Sequence, residues 1–354
     1  MMRPAKISDV AKLAKTSTAT VSRVLSNSGY PVSDETAKRV RDAVEQLNYS
    51  PNLAGHMLKS RSAKTLGIII PSLQNPFFIQ LVRGIEDAAA SVGYTTFVFN
   101  SRRSAEIERE LISKMQHLSV RGLLISSLDS NDQMIKRFLD TGAAAVIFEA
   151  NFPIDFNRRV IDATSKMNEN SALATRALLE RDHRRIALLT TPLTRNNRKM
   201  VYLGYCSAMD EYNIPDEGRL VLEATSEREK DDTIFEFEVG KELGNQFYHL
   251  GKSFSGIVAV NDLVACGIIH ELISLHVRIP EDVSVIGIDN IPQDIMITPA
   301  ISSVDQDSYR HGYNACIELI NSLDLEEYKD WPVRRCYISP KVIIRDSIKP
   351  LGVF

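Results

Sequence analysis

The residues whose types and spacing could do chemistry stand in two places in this chain. Near the N-terminus, hydroxyl side chains and one arginine are packed into the short segment 17–23. Arginine donates hydrogen bonds to guanine O6 and N7 or to a phosphate, and hydroxyl groups suit the phosphate contacts that fix register on a duplex. The segment therefore predicts a DNA-reading surface made of Ser17, Thr18, Ala19, Thr20, Ser22 and Arg23.

The second place lies in the long remainder of the chain, where polar residues follow apolar runs that predict strands. A carboxylate accepts hydrogen bonds from hydroxyl groups, an amide both donates and accepts them, and arginine binds anions. Such a set predicts a small-molecule site, with an anionic effector such as a sugar phosphate or sugar acid held by Arg195 with help from Arg198. The predicted effector contacts are Phe77, Arg195, Arg198, Phe235, Asn261 and Asp289.

Each of these residues also has a purely structural interpretation. Asp289 could cap the loop that follows it, and Asn261 stands where an ordinary helix N-cap would stand. Phe77 and Phe235 fit core packing at least as well as stacking on a ligand ring. The stretch 190–199 also fits a solvated basic loop, so the sequence leaves both interpretations open.

Catalysis and metal chemistry find little support in the sequence. There is no P-loop, HExxH, GxSxG or post-strand GxGxxG motif. No cysteine pair has CxxC spacing, so we expect no metal site, no disulfide framework and no cofactor. Four thiols placed far apart are typical of a reducing cytoplasm: Cys206, Cys266, Cys316 and Cys336.

Length and charge indicate at least two folding units with different partners. A chain of 354 residues exceeds one ordinary core. Residues 1–64 hold eleven basic and five acidic residues, a net charge of +6, which leaves −9 for the rest of a chain whose total is −3. A basic head suits contact with phosphate, and an acidic body does not. The chain lacks an apolar run long enough to span a membrane and an apolar N-terminal signal, so we expect no membrane partner.

Three short helices are predicted in the head, residues 1–49. The first runs from about residue 8 to residue 14, the second from 18 to 25 after Ser17 as N-cap, and the third starts after Ser33. Two helices joined by a tight turn with a third behind them form the helix-turn-helix plan. The second helix would then enter the major groove with its N-terminal residues.

The body alternates apolar runs with amphipathic stretches from residue 66 to residue 289. This rhythm predicts two doubly wound α/β subdomains with parallel sheets, arranged like a periplasmic sugar-binding protein. Ligands in such sheets sit at the carboxyl ends of the strands. Among the predicted helices, one starts at Val201 and another at Gly240.

Residues 7–52 carry a resemblance to a known family. The strings Ala19–Leu25 (ATVSRVL) and Asn48–Asn52 (NYSPN) are its most specific parts, and GIIIP, NPFF and IPEDVSVIGID continue it through the body. On these residues the chain resembles the lactose-repressor (LacI/GalR) family over nearly its whole length. The resemblance implies a sequence-specific DNA-binding regulator whose base-reading positions are Thr18, Ala19 and Arg23.

The resemblance also implies a hinge and a division of the body. Paired hinge helices of a dimer would enter the minor groove, where Leu58 wedges a base step beside Lys59 and near Asn52. His183 matches a structural histidine of the family. The implied boundaries are a head at 1–49, a hinge at 50–63, an N-subdomain at 64–162 and 291–327, and a C-subdomain at 163–290 and 328–354.

This sequence departs from the family pattern at several positions. Lys15 replaces a turn glycine that tends to positive φ, at a cost of about 1 kcal/mol. Gly55 and His56 stand where alanine and arginine are common, and glycine weakens a helix by about 1 kcal/mol. Val201 occupies the position of a frequent effector-binding arginine.

Together these observations predict a cytoplasmic transcription regulator, by the resemblance a repressor. A homodimer would bind a near-palindromic double-stranded operator. A small-molecule effector bound between the subdomains would control the affinity of the dimer for this operator. The alternative is a cytoplasmic sugar-binding protein without regulatory DNA binding. The basic head favours the first interpretation.

Overall fold

The computed structural model describes residues 5–26, 31–49, 64–118, 120–154, 159–225, 234–251, 254–323 and 334–349. By its internal contacts the chain divides into two compact units, Met1–Ala63 and Lys64–Phe354. The predicted hinge at 50–63, which includes Asn52, Gly55, Leu58 and Lys59, lies outside the described residues.

The head consists of three helices around a small apolar core: α1 (Ile7–Leu13), α2 (Thr18–Ser26) and α3 (Asp34–Gln46). Helix α3 begins after Ser33 because the hydroxyl of Ser33 accepts the backbone N–H of Thr36 at 3.4 Å. Apolar residues at helical spacing from all three helices meet in the centre. The buried members of this core are Val10, Ala11, Ala14, Val21, Val40 and Ala43.

The turn between α1 and α2 contains Lys15 where the family pattern has a glycine. Lys15 adopts φ of 49°, so the expectation of a positive φ at this position is confirmed. The start of α1 was predicted one residue too late, at Ser8. Lys6 is the N-cap instead, because the Asp9 carboxylate accepts its backbone N–H at 2.8 Å.

The body contains two six-stranded sheets, one in each subdomain. In the first, all adjacent strands are parallel, in the order β11-β5-β4-β3-β1-β2. The strands are β1 (Thr65–Ile70), β2 (Thr95–Asn100), β3 (Gly122–Ser126), β4 (Ala144–Glu149), β5 (Val160–Asp162) and β11 (Arg334–Arg335). The helices that accompany this sheet are α4 (Pro76–Ser91), α5 (Ala105–His117), α6 (Gln133–Leu139) and α11 (Ser308–Leu323).

The second sheet has the order β12-β10-β9-β8-β6-β7, and only the β10–β12 pair within it is antiparallel. Its strands are β6 (Ile186–Thr190), β7 (Arg219–Glu223), β8 (Gly256–Ala259), β9 (Ser284–Asp289), β10 (Ser302–Asp305) and β12 (Lys341–Ile343). Its helices are α7 (Met167–Leu179), α8 (Asn196–Glu211), α9 (Phe235–His249) and α10 (Asp262–Ser274). The predicted fold class, an all-α helix-turn-helix head and an α/β body of two doubly wound subdomains, is confirmed.

The chain crosses between the two sheets at three places, and two of them differ from the sequence prediction. The first crossing, at 163–166, follows β5. The second, at 306–307, follows β10, so the predicted crossing at 291 is too early. The third lies at 336–340 and not near 327. Both errors have one origin, because β10 and the short β11 are too brief to show a period in the sequence.

Helix α11 belongs to the first subdomain because it packs closely against α4. A Cβ atom added at Gly84 would lie 2.0 Å from the carbonyl oxygen of Tyr309, and one added at Gly312 would lie 2.2 Å from that of Leu81. Two glycines on facing helices therefore permit a close backbone approach. This contact fixes the second crossing against the core of the first subdomain.

Two helices begin earlier than the sequence suggested, and both carry residues of the candidate site. Helix α8 begins at Asn196 and not at Val201, and α9 begins at Phe235 and not at Gly240. The first turn of α8 is polar (NNRK) and that of α9 alternates aromatic and acidic residues (FEFE), so neither shows the apolar period of a helix. Within the described ranges, no helix is long and apolar enough to cross a membrane.

Candidate functional site

The first candidate site is the N-terminal part of α2 in the head. The hydroxyl of Ser17 accepts the backbone N–H of Thr20 at 3.1 Å and lies 2.9 Å from its hydroxyl, so Ser17 is the N-cap that the sequence predicted. Val21 is fully buried and anchors the helix to the core. The opposite face is polar and carries the predicted contact residues, with Thr18, Ala19 and Arg23 exposed and Thr20 and Ser22 half-buried.

This surface has the properties that a major-groove reader needs. Its helix is preceded by a tight turn, and its first two turns present hydroxyl groups and a guanidinium group. The backbone N–H groups at the start of a helix also favour phosphate. The arrangement can therefore hold a phosphate at the cap and present side chains to base edges beyond it.

The second candidate site is a pocket between the two subdomains, at the carboxyl ends of their strands. The first subdomain contributes residues that follow β1 and β2 or end β4, and the second contributes residues that follow β6, β8 and β10 or end β9, together with Glu236 from the first turn of α9. The space free of protein atoms is about 470 Å³, opening included. The residues that carry its polar chemistry are Asn75, Arg103, Glu149, Arg195, Arg198, Glu236, Asn261, Asp289 and Gln306.

Of the six effector contacts predicted from sequence, five line this pocket: Phe77, Arg195, Arg198, Asn261 and Asp289. Phe235 does not line it. That ring is 5% exposed and packs in the core of the second subdomain, with the guanidinium carbon of Arg103 at 5.3 Å from its centre. Phe235 therefore contacts Arg103, which does line the pocket, but not the pocket itself.

Arg195 and Arg198 are held in the pocket by the start of α8 and are not solvated loop residues. Each is only 8% exposed, Arg195 as the N-cap and Arg198 in the first turn. The Arg198 Nε atom donates to the hydroxyl of Thr191 at 2.8 Å. Burial, followed by the nearby charge of Arg195, lowers the pKa of Arg198 to about 10. Val201, at the position of the family's arginine, is fully buried in apolar core one turn further on.

Asp289 closes the carboxyl end of β9 in an unusual backbone conformation. Its φ is 125°, a region that residues with a side chain rarely adopt. The Gln306 side-chain amide donates to its Oδ1 at 2.7 Å. Burial, followed by the charge of Asp262, raises the pKa of Asp289 well above its ordinary value, which favours the protonated carboxyl. A protonated Asp289 can donate as well as accept.

Asn261 and Phe77 combine a structural role with a position in the pocket. The Asn261 Oδ1 atom accepts the backbone N–H of Val264 at 2.9 Å, so this residue is the N-cap of α10. Phe77 packs edge-on against Phe78, with ring centres 5.2 Å apart. For both residues the structural interpretation holds together with the pocket position.

Sequence reasoning missed five charged or amide residues of the pocket: Asn75, Arg103, Glu149, Glu236 and Gln306. Glu149 ends β4 as Asp289 ends β9, so the same strand-end rule would have found it. Glu236 was not predicted because the sequence analysis placed the start of α9 at Gly240 and not at Phe235. Arg103 and Gln306 come from segments after β2 and β10 whose direction depends on tertiary contacts.

In the part of the chain that the structure describes, no histidine or cysteine lines this pocket. His183 is 1% exposed and lies 2.9 Å from the hydroxyl of Ser255 and 3.0 Å from the carbonyl oxygen of Lys349. Burial lowers its pKa, which favours a neutral ring that donates to the carbonyl and accepts from the hydroxyl. Among the residues that the structure describes, no cluster of His, Cys, Asp or Glu could hold a metal ion.

Comparisons with known proteins agree with this two-unit organisation. A model of the lacI family of bacterial regulatory proteins matches residues 6–52, and a model of the periplasmic binding protein-like domain matches residues 175–348. The HTH-type transcriptional repressor PurR of Aliivibrio fischeri (strain MJ11) is 30% identical over 349 residues, which are 97% of this chain and 98% of the relative. PurR of Actinobacillus pleuropneumoniae serotype 3 (strain JL03) is 29% identical over 348 residues, 98% and 99% of the two chains.

Solved structures share the same fold. The Lac repressor dimer bound to operator and the anti-inducer ONPF has a TM-score of 0.80 at 21% identity, covering 98% of this chain and 100% of that chain. A LacI family regulator from Enterococcus faecium with bound ribose has a TM-score of 0.69 at 24% identity, covering 81% and 100%.

Proposed function

Because this chain belongs to the lacI family of bacterial regulatory proteins, it is a DNA-binding transcription regulator, and we propose that a small anionic effector controls its operator affinity. The relatives that match over their full length are named transcriptional repressors, so the direction of regulation is repression. The protein acts as a homodimer on a near-palindromic operator, since each of two heads reads one half-site. Its target is chromosomal DNA, which locates it in the cytoplasm, and it carries no catalytic role.

Helix α2 is the reading element. Thr18, Ala19 and Arg23 contact base edges, and the hydroxyl groups of Ser17, Thr20 and Ser22 contact phosphates. The exposure of Thr18, Ala19 and Arg23 and the cap hydrogen bonds of Ser17 support this assignment. The hinge residues Asn52, Leu58 and Lys59, which lie outside the described residues, would contact the minor groove as the family resemblance implies.

A selected operator makes this assignment testable. Selection from a random duplex library supplies the site, and fluorescence anisotropy measures its affinity. Arg23→Ala should cost about 1–3 kcal/mol, or roughly 5- to 150-fold in Kd, and relax the preference at one base pair. Arg39→Ala, on the exposed face of α3, is the matched control. An equal effect of both variants would mean that the reading helix is assigned wrongly.

The effector is anionic because the pocket concentrates guanidinium groups where water is excluded. Arg103, Arg195 and Arg198 all line it and are largely buried. The raised pKa of Asp289 reduces the opposing negative charge of the wall. Arginine holds a phosphate or carboxylate through paired, charge-assisted hydrogen bonds. This accumulation of buried arginine is the observation that carries the proposal.

Hydroxyl-bearing effectors suit the rest of the pocket. Asn261, Gln306 and Glu149 offer amide and carboxyl groups that bind hydroxyl groups in both directions. A regulator from Enterococcus faecium was solved with ribose, and the regulator CelR with cellobiose. A sugar phosphate or sugar acid combines both requirements, with its anion held by Arg195 and helped by Arg198.

Matched ligand pairs separate an anionic from a neutral effector. Each neutral sugar is compared with its phosphate in a thermal shift assay, where about 100 times the Kd adds roughly 2.7 kcal/mol of stability. We expect a shift with the phosphate alone. Arg195→Ala should abolish that shift, whereas Lys199→Ala, exposed on the same helix, should not. A shift with the neutral sugar alone would move recognition to Asp289 and Asn261.

A further inference from the structure

One buried ion pair joins the two subdomains across the pocket. Arg103 lies in the turn after β2 of the first subdomain, and Glu236 lies in the first turn of α9 in the second. Their side chains are 4% and 2% exposed, and the Arg103 Nη2 atom donates to Glu236 Oε1. The side-chain amide of Asn75, also from the first subdomain, donates to the same oxygen at 3.1 Å.

Local structure holds each member of this pair in place. Asn75 is the N-cap of α4, and its Oδ1 accepts the backbone N–H of Phe77 at 2.9 Å, so its amide nitrogen must face Glu236. Arg102 and Arg103 have φ of 49° and 54°, a left-handed conformation that residues with a side chain seldom keep unless their surroundings impose it. The N-terminus of α9 favours the negative charge of Glu236.

Because the two subdomains are joined only by short connections, an ion pair between them can restrain their relative rotation. Three short crossings, at 163–166, 306–307 and 336–340, are the covalent links between the halves within the body. Halves joined in this way can rotate about their links, as hinged ligand-binding domains do. Another hydrogen bond between the subdomains runs from the backbone N–H of Asn196 to Asn151 Oδ1 at 2.8 Å.

We propose that the Arg103–Glu236 pair is a latch that holds the two subdomains together across the pocket, and that an anionic effector releases it. Glu236 is then an internal anion, which Arg103 exchanges for the phosphate or carboxylate of the effector. A neutral sugar offers no replacement charge, so it cannot compensate for the loss of this buried ion pair. Arg103 and Glu236 therefore add to the preference for anions that Arg195 and Arg198 give the site, a role that rests on the proposed function of the pocket.

The hydrogen bonds from Arg103 and Asn75 both use the same carboxylate oxygen of Glu236. Glu236 Oε2 is buried and has no hydrogen-bond partner among the described residues. A buried carboxylate oxygen without a donor destabilises the closed arrangement. The ion pair therefore holds the two subdomains together. Its unsatisfied oxygen also weakens it, so an effector anion can replace Glu236 as the partner of Arg103.

Hydrogen–deuterium exchange of the full-length protein without added ligand tests the latch. The reporters are two peptides: 193–199, which contains the Asn196 N–H that donates to Asn151 of the first subdomain, and 72–80, from the first subdomain's wall of the pocket. Glu236→Gln should accelerate exchange roughly tenfold in both peptides, because the walls separate more often. Glu238→Gln, an exposed neighbour on α9 paired with Lys241, is the matched control and should change neither.

The double variant Arg103→Gln/Glu236→Gln guards against a trivial folding defect, since it leaves no unpaired charge behind. We expect it to accelerate exchange in both peptides as much as Glu236→Gln alone does, because one broken latch cannot be broken twice. Acceleration confined to 235–249, or no acceleration in the double variant, would overturn the latch. Because no effector is added, this result is independent of whether the thermal shift identifies an anionic ligand.

Discussion

Replacing Arg198 by methionine should stabilise the protein while weakening its response to effector. Burial and the neighbouring Arg195 lower the pKa of Arg198 from 12.5 to about 10. That change disfavours the charged side chain by about 3 kcal/mol, at about 1.4 kcal/mol for each tenfold change in the acid constant. The charged hydrogen bond to Thr191 offsets about 1.5 kcal/mol of this. Arg198→Met should therefore gain about 1–2 kcal/mol.

On the proposed function, the same substitution also removes a charge-assisted hydrogen bond from Arg198 to the effector. Such a bond is worth about 1.5–3 kcal/mol, which corresponds to roughly 10- to 150-fold in effector Kd. Urea unfolding followed by circular dichroism measures the first effect, and the thermal shift with a sugar phosphate measures the second. Lys199→Met, exposed on the same helix, is the control and should alter neither value.

The result that refutes this reasoning is a loss of stability. If Arg198→Met unfolds at a clearly lower urea concentration than the parent protein, then Arg198 is a structural residue whose charge is already satisfied. A gain in stability without any change in effector binding would instead show that the guanidinium group of Arg198 does not contact the effector. Only the combination of higher stability and weaker binding supports a ligand site that is strained by its own charges.

Three further predictions concern the hydrogen-bonded carboxyls of Asp262 and Asp294 in the second subdomain, the packing of the body and the hinge. Burial raises the pKa of both Asp262 and Asp294, so these two carboxyls bind more protons in the native state than in the unfolded chain, and their contribution to stability falls as pH rises above about 4. Asp294→Asn should flatten this fall, and an unchanged difference in melting temperature between pH 6 and pH 9 would count against it. Gly84→Ala places a Cβ atom 2.0 Å from the Tyr309 carbonyl oxygen, so calorimetry should show a loss of about 1–3 kcal/mol; an unchanged melting temperature would contradict this close approach. Gly55→Ala should tighten operator binding in an anisotropy titration by up to about fivefold, since alanine favours the hinge helix by about 1 kcal/mol, and unchanged or weaker binding would reject this hypothesis.

The head could be predicted from sequence almost completely because its structure is local. Caps such as Ser17 and Ser33 mark helix starts, and apolar residues at helical spacing mark the core. The positive φ at Lys15 followed from the family pattern. The start of α1 was missed because a carboxylate three residues into the helix, from Asp9, reaches back to cap it.

The pocket could be predicted only in part because it is assembled from distant segments. The strand-end rule led to Asp289 and Asn261, since the rule depends on parallel sheets alone. Arg103 and Glu236 are in contact although 133 residues separate them in the sequence, and no periodic pattern in the sequence predicts such a contact. Phe235 was assigned to the ligand and packs in the core, because an aromatic residue at a helix start suits both roles.

The division of the body failed for a similar reason. Strand β10 is SSVD and β11 is RR, and neither shows an apolar period. Their membership in different sheets is decided by pairing with β9 and β5, which is tertiary information. The crossings at 306–307 and 336–340 therefore became visible only in the folded structure.

The most direct test of the central claim measures operator affinity and effector binding in one titration. The selected operator is titrated with the full-length protein by anisotropy, with and without a sugar phosphate that stabilises the protein. Our account predicts that the phosphate changes the operator Kd by roughly 5- to 150-fold in the parent protein and leaves it unchanged in Arg195→Ala. If the phosphate binds and the operator Kd stays the same, the pocket does not control the head, and the proposed regulation is wrong.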